Sequence, residues 1–188
     1  MSSIVISGDT SGSITIAAPA VSGTNTLTLP ANTGTVLTTA STFAGTGPAF
    51  SAYLGSTQTI STGTFTKLQF NTEIFDTASA YDSTTNYRFT PQVAGYYQVN
   101  GSCRINQPAA GGEVFVDLYK NGSEVVRGSD NFVAATGGFV TASISYLIQM
   151  NGSTDYIELY IYQGSGISQT TSNGSALTFF QAAMVRSA

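Results

Sequence analysis

Histidine is missing from all 188 residues. That removes the commonest general base and metal ligand, and with it the familiar serine and cysteine triads. Tryptophan is missing too, and the single cysteine, Cys103, has no partner for an internal disulfide. A buried, inert thiol is its expected state, and no redox compartment can be read from it. Charge is scarce: Asp, Glu, Lys and Arg make up 9% of the chain, against ~25% in ordinary soluble domains. The basic residues Lys67, Arg88, Arg104, Lys120, Arg127 and Arg186 are scattered, and the net charge is −4. No basic stripe exists to follow a phosphate backbone, so no nucleic acid is expected as a partner. Nowhere do ~18 apolar residues run consecutively, and the N-terminus offers neither the basic lead nor the apolar run of a secretory signal. The expectation is a soluble protein made in a cytoplasm, without membrane insertion.

What fills the chain instead is Ser, Thr, Gly and Asn, with ten tyrosines and eleven phenylalanines. The length suits one domain with a proper core plus a short appendage. Residues 1–44 are set apart, because Asp9 is their only charge. Their apolar stretches, Ile4 to Ile6, Ile14 to Ala17, Thr26 to Leu29 and Val36 to Thr38, alternate with Gly, Asn and Pro as small hairpins do. Strands this short bury too little alone. The module should therefore lean on neighbours, copies of itself or a docking surface, through Ile4, Ile6, Ile14, Ile16, Leu27 and Leu29. Gly45, Gly47 and Pro48 mark a hinge at residues 45–48, and Ala49 to Leu54 opens the main domain, residues 49–188.

From there the period is two. Phe139 to Met150 puts Val140, Ala142, Ile144, Tyr146, Ile148 and Met150 on one face and Thr141, Ser143, Ser145 and Gln149 on the other; Thr154 to Gln163 sets Ile157, Leu159 and Ile161 against Tyr156, Glu158, Tyr160 and Tyr162. No stretch has a helical period. Two connections read as tight two-residue hairpins, Asn121-Gly122 and Asn151-Gly152. Three read as long and Gly-rich: Asn106 to Gly112, Gly128 to Gly138 and Gly164 to Ser175. Antiparallel strands reverse at each connection, so the long loops should share one end and the tight turns the other, with the last strand, Ala176 to Val185, running away from the loops. Loops held by a rigid sheet commonly form binding surfaces. The candidates are Asn106, Gln107, Asp130, Asn131, Phe132, Ser168, Gln169 and Asn173.

Catalysis would have to rest on carboxylates. Asp76, Asp82, Glu113, Asp117, Asp130, Asp155 and Glu158 could supply a glycosidase-type pair, but their spacing carries no signature. A calcium cage of six to eight oxygens has no recognisable spacing either. The N-G-S triplets at Asn100, Asn121, Asn151 and Asn173 match the glycosylation pattern, and turn chemistry accounts for two of them. The expectation is a non-enzyme without cofactor or metal.

The stretch Tyr81 to Val99 concentrates aromatic and corner residues: Tyr81-Asp82, Arg88-Phe89, Pro91 and Gly95-Tyr96-Tyr97. It reads as strands joined by a tight bend. Together with AFSAYL at 49–54, FNTEIFD at 70–76, LYKNG at 118–122 and the closing TFFQAAMV, it resembles, in the family's order, the globular head of the complement first component's q subunit, kin to the tumour necrosis factors. The resemblance covers residues 49–185. It implies an all-β, antiparallel jelly-roll sandwich that forms a homotrimer, with both termini at the base and the opposite loops at the apex. Gln181 and Ala182 stand where the family has a small residue and a glycine, and no ligand or calcium residue is carried across. A trimer has a second support in strands that carry large residues on both faces: Phe115 and Tyr119 opposite Val114, Val116 and Leu118, and Phe179 beside Phe180. Candidate interface residues are Tyr96, Tyr97, Phe115, Tyr119, Tyr160, Tyr162, Phe179 and Phe180.

Residues 11–39, SGSITIAAPAVSGTNTLTLPANTGTVLTT, resemble a lead-in found before the distal domains of bacteriophage tail-fibre and appendage proteins. That resemblance implies a virion protein, docked to other virion proteins through residues 1–44 and meeting host surface polysaccharide or protein with its head. The alternatives are a capsid decoration or head-fibre trimer with no required ligand, and a carboxylate-based polysaccharide depolymerase.

Overall fold

Alternation in residues 139–151 is realised as strand β12 (Phe139–Asn151) in the computed structural model, which describes residues 3–7, 10–17, 47–106, 110–135 and 137–188. Ala142, Ile144, Ile148 and Met150 are buried, while Thr141, Ser143, Ser145 and Gln149 face out. β12 lies antiparallel on β9 (Ala94–Asn106) in unbroken register from Phe139↔Asn106 to Asn151↔Ala94. These two strands anchor the larger sheet. Its order is β4 (Thr59–Ile60), β14 (Gln169–Thr171), β9, β15 (Phe179–Ser187), β3 (Ala49–Tyr53) and β6 (Thr72–Asp76), with β12 also on β9. The smaller sheet runs β11 (Ser123–Phe132), β10 (Glu113–Lys120), β13 (Ile157–Gln163), β8 (Arg88–Phe89) and β7 (Tyr81–Asp82), with β5 (Thr66–Lys67) also on β13. Every pairing is antiparallel, and no helix occurs among the described residues. The chain is the expected jelly-roll sandwich.

The inner faces of the two sheets meet over an aromatic core. Phe50 stacks on Tyr81 and on Phe89, both at 4.5 Å between ring centroids, and meets Phe180 edge-on at 5.0 Å. Offset and edge-on rings of this kind add to the burial of apolar area itself. Tyr81 to Val99 is the seam between sheets: Tyr81↔Phe89 pair in the smaller sheet, residues 90–93 turn the corner, and β9 continues in the larger. Cys103 is fully buried, and burial pushes its thiol well above the ordinary value, so it stays protonated.

Long loops and tight turns separate to opposite ends as their order requires. Gly111 N–H donates to the Val133 carbonyl at 2.9 Å and Gly164 N–H to the Glu113 carbonyl at 2.9 Å, which gathers the loops after β9, β11 and β13. At the other end, Asn121 N–H donates to the Tyr156 carbonyl at 3.0 Å. Three boundaries differ from expectation, the first being that β14 (Gln169–Thr171) interrupts the expected loop Gly164 to Ser175. Gly128 belongs to β11 rather than to the loop, because its missing side chain lets β11 approach the Ser143 carbonyl on β12. The last strand starts at Phe179, three residues after Ala176, since residues 174–178 form a turn closed by Thr178 N–H on the Gly174 carbonyl.

A further correction concerns the turns. Asn121 and Gly122 both have positive φ, 54° and 79°, as a two-residue hairpin demands. Asn151-Gly152 does not form such a hairpin, because β12 and β13 lie in different sheets. Asn151 instead accepts with Oδ1 from the N–H groups of Ser153, Thr154 and Asp155, capping a longer connection.

The chain divides into two compact units, Met1–Ala40 and Ser41–Ala188. The expected hinge at 45–48 lies partly outside the described residues. In the first unit β1 (Ser3–Ser7) pairs antiparallel with β2 (Ser13–Ala17), placing Ile4 opposite Ile16 and Ile6 opposite Ile14. Val5, Ile6 and Ile16 are exposed. The expected strands at Thr26 to Leu29 and Val36 to Thr38, with Leu27 and Leu29, lie outside the described residues.

Candidate functional surfaces

The loop end is built on a buried amide. Gln163, the last residue of β13, is fully buried. Its Nε2 donates to the carbonyls of Ile60 (3.2 Å) and Ile167 (2.9 Å), and its Oε1 accepts from the N–H (2.9 Å) and hydroxyl (2.6 Å) of Ser165. One side chain thus ties the loop after β13 to the strand before residues 61–65. Gly112 completes the joint, since a Cβ there would sit 2.6 Å from the Ser165 nitrogen.

Of the residues expected on this surface, Asn106, Asp130, Phe132, Ser168 and Asn173 are exposed. Among the described residues Phe132 is the most exposed large apolar one, at 68%, and it flanks the loop after β11 opposite Phe139, 60% exposed. Phe139 carries the Arg104 guanidinium over its ring at 3.6 Å. Asn131 is half-buried and turned inward, its amide reaching the Ser129 hydroxyl at 3.3 Å and the Thr141 carbonyl at 3.4 Å. Gln169 is a correction: it is 2% exposed and donates to the Ser165 hydroxyl at 3.0 Å, so it supports the loop and faces no ligand. Gln107 lies outside the described residues. The surface therefore offers two apolar rings, one of them holding a cation, among hydroxyls, amides and one carboxylate.

The residues expected at an interface divide three ways. Tyr97 and Phe180 are fully buried in the core of the single chain, so neither can meet a neighbour; burial pushes the Tyr97 hydroxyl up to about 12, and it donates to the Val93 carbonyl at 2.7 Å. Alternation explains this, because Tyr96 and Tyr97 must face opposite ways on β9. Tyr96 and Phe179 point outward on the larger sheet. Phe115, Tyr119, Tyr160 and Tyr162 point outward on the smaller sheet, with Phe115↔Tyr162 and Tyr119↔Glu158 in register.

The outward face of the larger sheet has little charge and small side chains. Across it run Ala49, Ser51, Gln181, Ala183, Gln98, Asn100 and Ser145, with Tyr53, Phe179, Tyr96 and Leu147 around them. Gln98 donates to the Ser145 hydroxyl at 3.0 Å, and Ser145 to Asn100 Oδ1 at 2.9 Å, so the polar groups are tied down within the face. A cleft of about 220 Å³ opens there between Phe75, Gln98, Asn100, Gln181 and Ala183. Next to it, Ile74 and Phe75 on β6 are 56% and 48% exposed. Of this face the sequence marks only Tyr96 and Phe179, because the rest of its residues are small and polar; the pairing order of β3, β15, β9 and β12, which only the fold supplies, is what makes it continuous.

Among the described residues no group of three or more potential metal ligands forms. The carboxylates are mostly engaged: Glu158 with Lys67 at 2.7 Å, Asp155 with Lys120 at 2.7 Å, Asp117 with Arg127 at 3.2 Å. Asp82 accepts from the N–H groups of Thr84, Thr85 and Asn86.

The family model of the C1q domain matches residues 49–180. The chain belongs to the C1q domain family. No curated protein matches it in sequence. Solved structures similar to this C1q domain include the Eiger TNF from S. frugiperda, at 7% identity and a TM-score of 0.58, covering 76% of this chain and 95% of that one. Murine APRIL at pH 5.0 matches at 8% identity and a TM-score of 0.55 over 74% of this chain and 99% of that one. The globular domain of the zebrafish complement 1qA protein matches at 14% identity and 0.53, over 76% and 99%. Identities this low speak for the fold alone. The resemblance drawn from AFSAYL, the tyrosine pair and TFFQAAMV therefore holds at the level of family and fold.

Proposed function

We propose that this chain is the head of a homotrimeric bacteriophage appendage, a binding module without enzymatic activity. Three copies pack through the outward face of the larger sheet, and the loop end meets the surface of a host cell. The observation that carries the reading is the polarity of the domain. Ala49 pairs with Ala183 and Ser187 with Gly95, so β3 begins and β15 ends towards the turn end, and Phe132 and Phe139 stand at the opposite end. A trimer built on such subunits presents three copies of one loop surface in one direction, and weak contacts add by avidity. The nearly uncharged face with its cleft suits contact between copies. The exposed Val5, Ile6 and Ile16 of the N-terminal hairpin supply apolar area for a virion partner, and the tail-fibre-like wording of residues 11–39 supports a place on the particle.

The test is cell binding by the fluorescently labelled full chain across a panel of bacteria, alongside Phe132→Ser and Phe139→Ser. The expected result is saturable binding to some strains, reduced at least about tenfold in the double variant through the loss of three apices together. Absence of binding to every strain, with no protection from any phage, overturns the attachment role.

A further inference from the structure

The outward face of the smaller sheet holds an aromatic cluster that neither the core nor the loop surface uses. Phe115 and Tyr162 stack at 4.8 Å between centroids, Tyr119 and Tyr160 pack at 4.1 Å, and Phe65 leans over from the loop before β5. Phe65 lies 5.3 Å from Tyr162, 5.9 Å from Phe115 and 6.5 Å from Tyr119, and is 40% exposed. Beneath these rings is Asp117, in register with Tyr160 on one side and Arg127 on the other. Strand alternation puts its carboxylate on the solvent side of the sheet, yet it has no exposed surface. Arg127 reaches only Oδ1, through Nε at 3.2 Å. Oδ2 is the one buried side-chain polar atom among the described residues that has no hydrogen-bond partner.

A buried carboxylate oxygen left unpaired is costly, and it asks for a donor. The surroundings say which kind. On the same face, by register and alternation, stand Asp82, Glu113, Glu124, Asp130 and Glu158, so with Asp117 six carboxylates share it with three cations, Arg127, Lys67 and Arg88. Lys67 is already paired with Glu158. The rings present their electron-rich faces, and Arg127 lies over Phe115 at 3.7 Å from the centroid, so the cluster accepts a cation in this very structure. An excess of negative charge, aromatic walls and an unpaired acceptor together fit a donor that is positively charged and has a small carbon body.

We propose that this face is a binding site for a primary ammonium group on a saturated carbon skeleton, with Asp117 Oδ2 accepting its N–H and Phe65, Tyr119, Tyr160 and Tyr162 enclosing its carbons. Phe65 is the movable wall: it comes from the loop at residues 61–65, where Gly63 has positive φ, and it turns aside as the ligand enters. The site borders the loop end through Asp130 and residues 61–65 but uses neither Phe132 nor Phe139, so it does not depend on the attachment reading.

The experiment uses the full chain and four probes: methylammonium, glucosamine, glucose and tetramethylammonium. Binding is followed by tyrosine fluorescence, which no tryptophan obscures, and by aromatic proton shifts. The expected result is saturable binding of methylammonium, glucosamine or both, with glucose silent and tetramethylammonium weaker because it has no N–H. Binding of methylammonium alone marks an alkylamine as the natural source, and of glucosamine alone an amino sugar. Asp117→Asn, which keeps shape but loses charge, weakens binding at least about tenfold, and Phe65→Ala weakens it about threefold or more. If Asp117→Asn fails to fold, Phe65→Ala still decides, since its ring is at the surface. Equal binding of glucose, unchanged affinity in the variants, or no saturable binding of either amine overturns the proposal. So does a change in oligomeric state in Phe65→Ala, which would make this face a contact between copies.

Discussion

Asp82 holds its own loop together. Its carboxylate accepts from the N–H groups of Thr85, Thr84 and Asn86 and from the Asn86 side chain, and these bonds, Thr85 first, hold its pKa far below the usual carboxylate value. A folded-state value below the unfolded one adds stability at pH above the ordinary carboxylate range and loses it as pH falls through the folded value. Asp82→Asn is therefore expected to be less stable at neutral pH and to show a flatter loss of stability on acidification, read as urea midpoints from about pH 7 down to about pH 2. Asp117 has the opposite sign. Burial first, then the nearby Glu124 charge, raise its pKa, so its ionised form weighs against folding at neutral pH. Asp117→Asn should raise the urea midpoint there, because Arg127 is left at a site open enough for water. The Asp82 contribution is half legible in sequence, since an acid before Ser-Thr-Thr-Asn is a turn former. Asp117 is not: alternation assigns it to solvent, and only the rings arriving from β13 and residue 65 bury it.

At the scale of elements, the ends of the sandwich follow from connection lengths alone, while the joints between loops do not. Alternation puts Gln163 on the inner face with Ile157, Leu159 and Ile161, but nothing in the sequence shows that its amide bonds β4 to the loop after β13. Gln163→Leu leaves the Ile60 and Ile167 carbonyls and Ser165 N–H without their partner, and a cost of about 1–3 kcal/mol follows. Hydrogen exchange should speed up at residues 164–169 before the rest of the sheet opens. Asn151-Gly152 shows why dipeptide signals mislead: Asn-Gly marks a turn, but only strand pairing decides whether the strands on either side are partners. Gly122 sits in a true hairpin at φ 79°, and Gly122→Ala should cost about 1 kcal/mol by thermal melting.

At the scale of the molecule, the count of aromatic residues pointed to surfaces needing cover, and the fold shows two ways of covering them. Tyr97 and Phe180 went inward. The smaller-sheet rings cover one another and Asp117. What remains for a neighbour is the larger-sheet face of Ala, Ser, Gln and Asn, which only Tyr96 and Phe179 at its rim mark in the sequence. Ala183 lies exposed on that face beside the cleft. A long charge there blocks close approach between copies without touching the core, so Ala183→Arg should separate the subunits and keep the fold. Sedimentation equilibrium of the full chain and of Ala183→Arg, with circular dichroism on both, tests this most directly. The account predicts three times the chain mass for the wild type and the single chain mass for the variant, with the same β spectrum. A monomeric wild type, or a variant that stays trimeric, contradicts it.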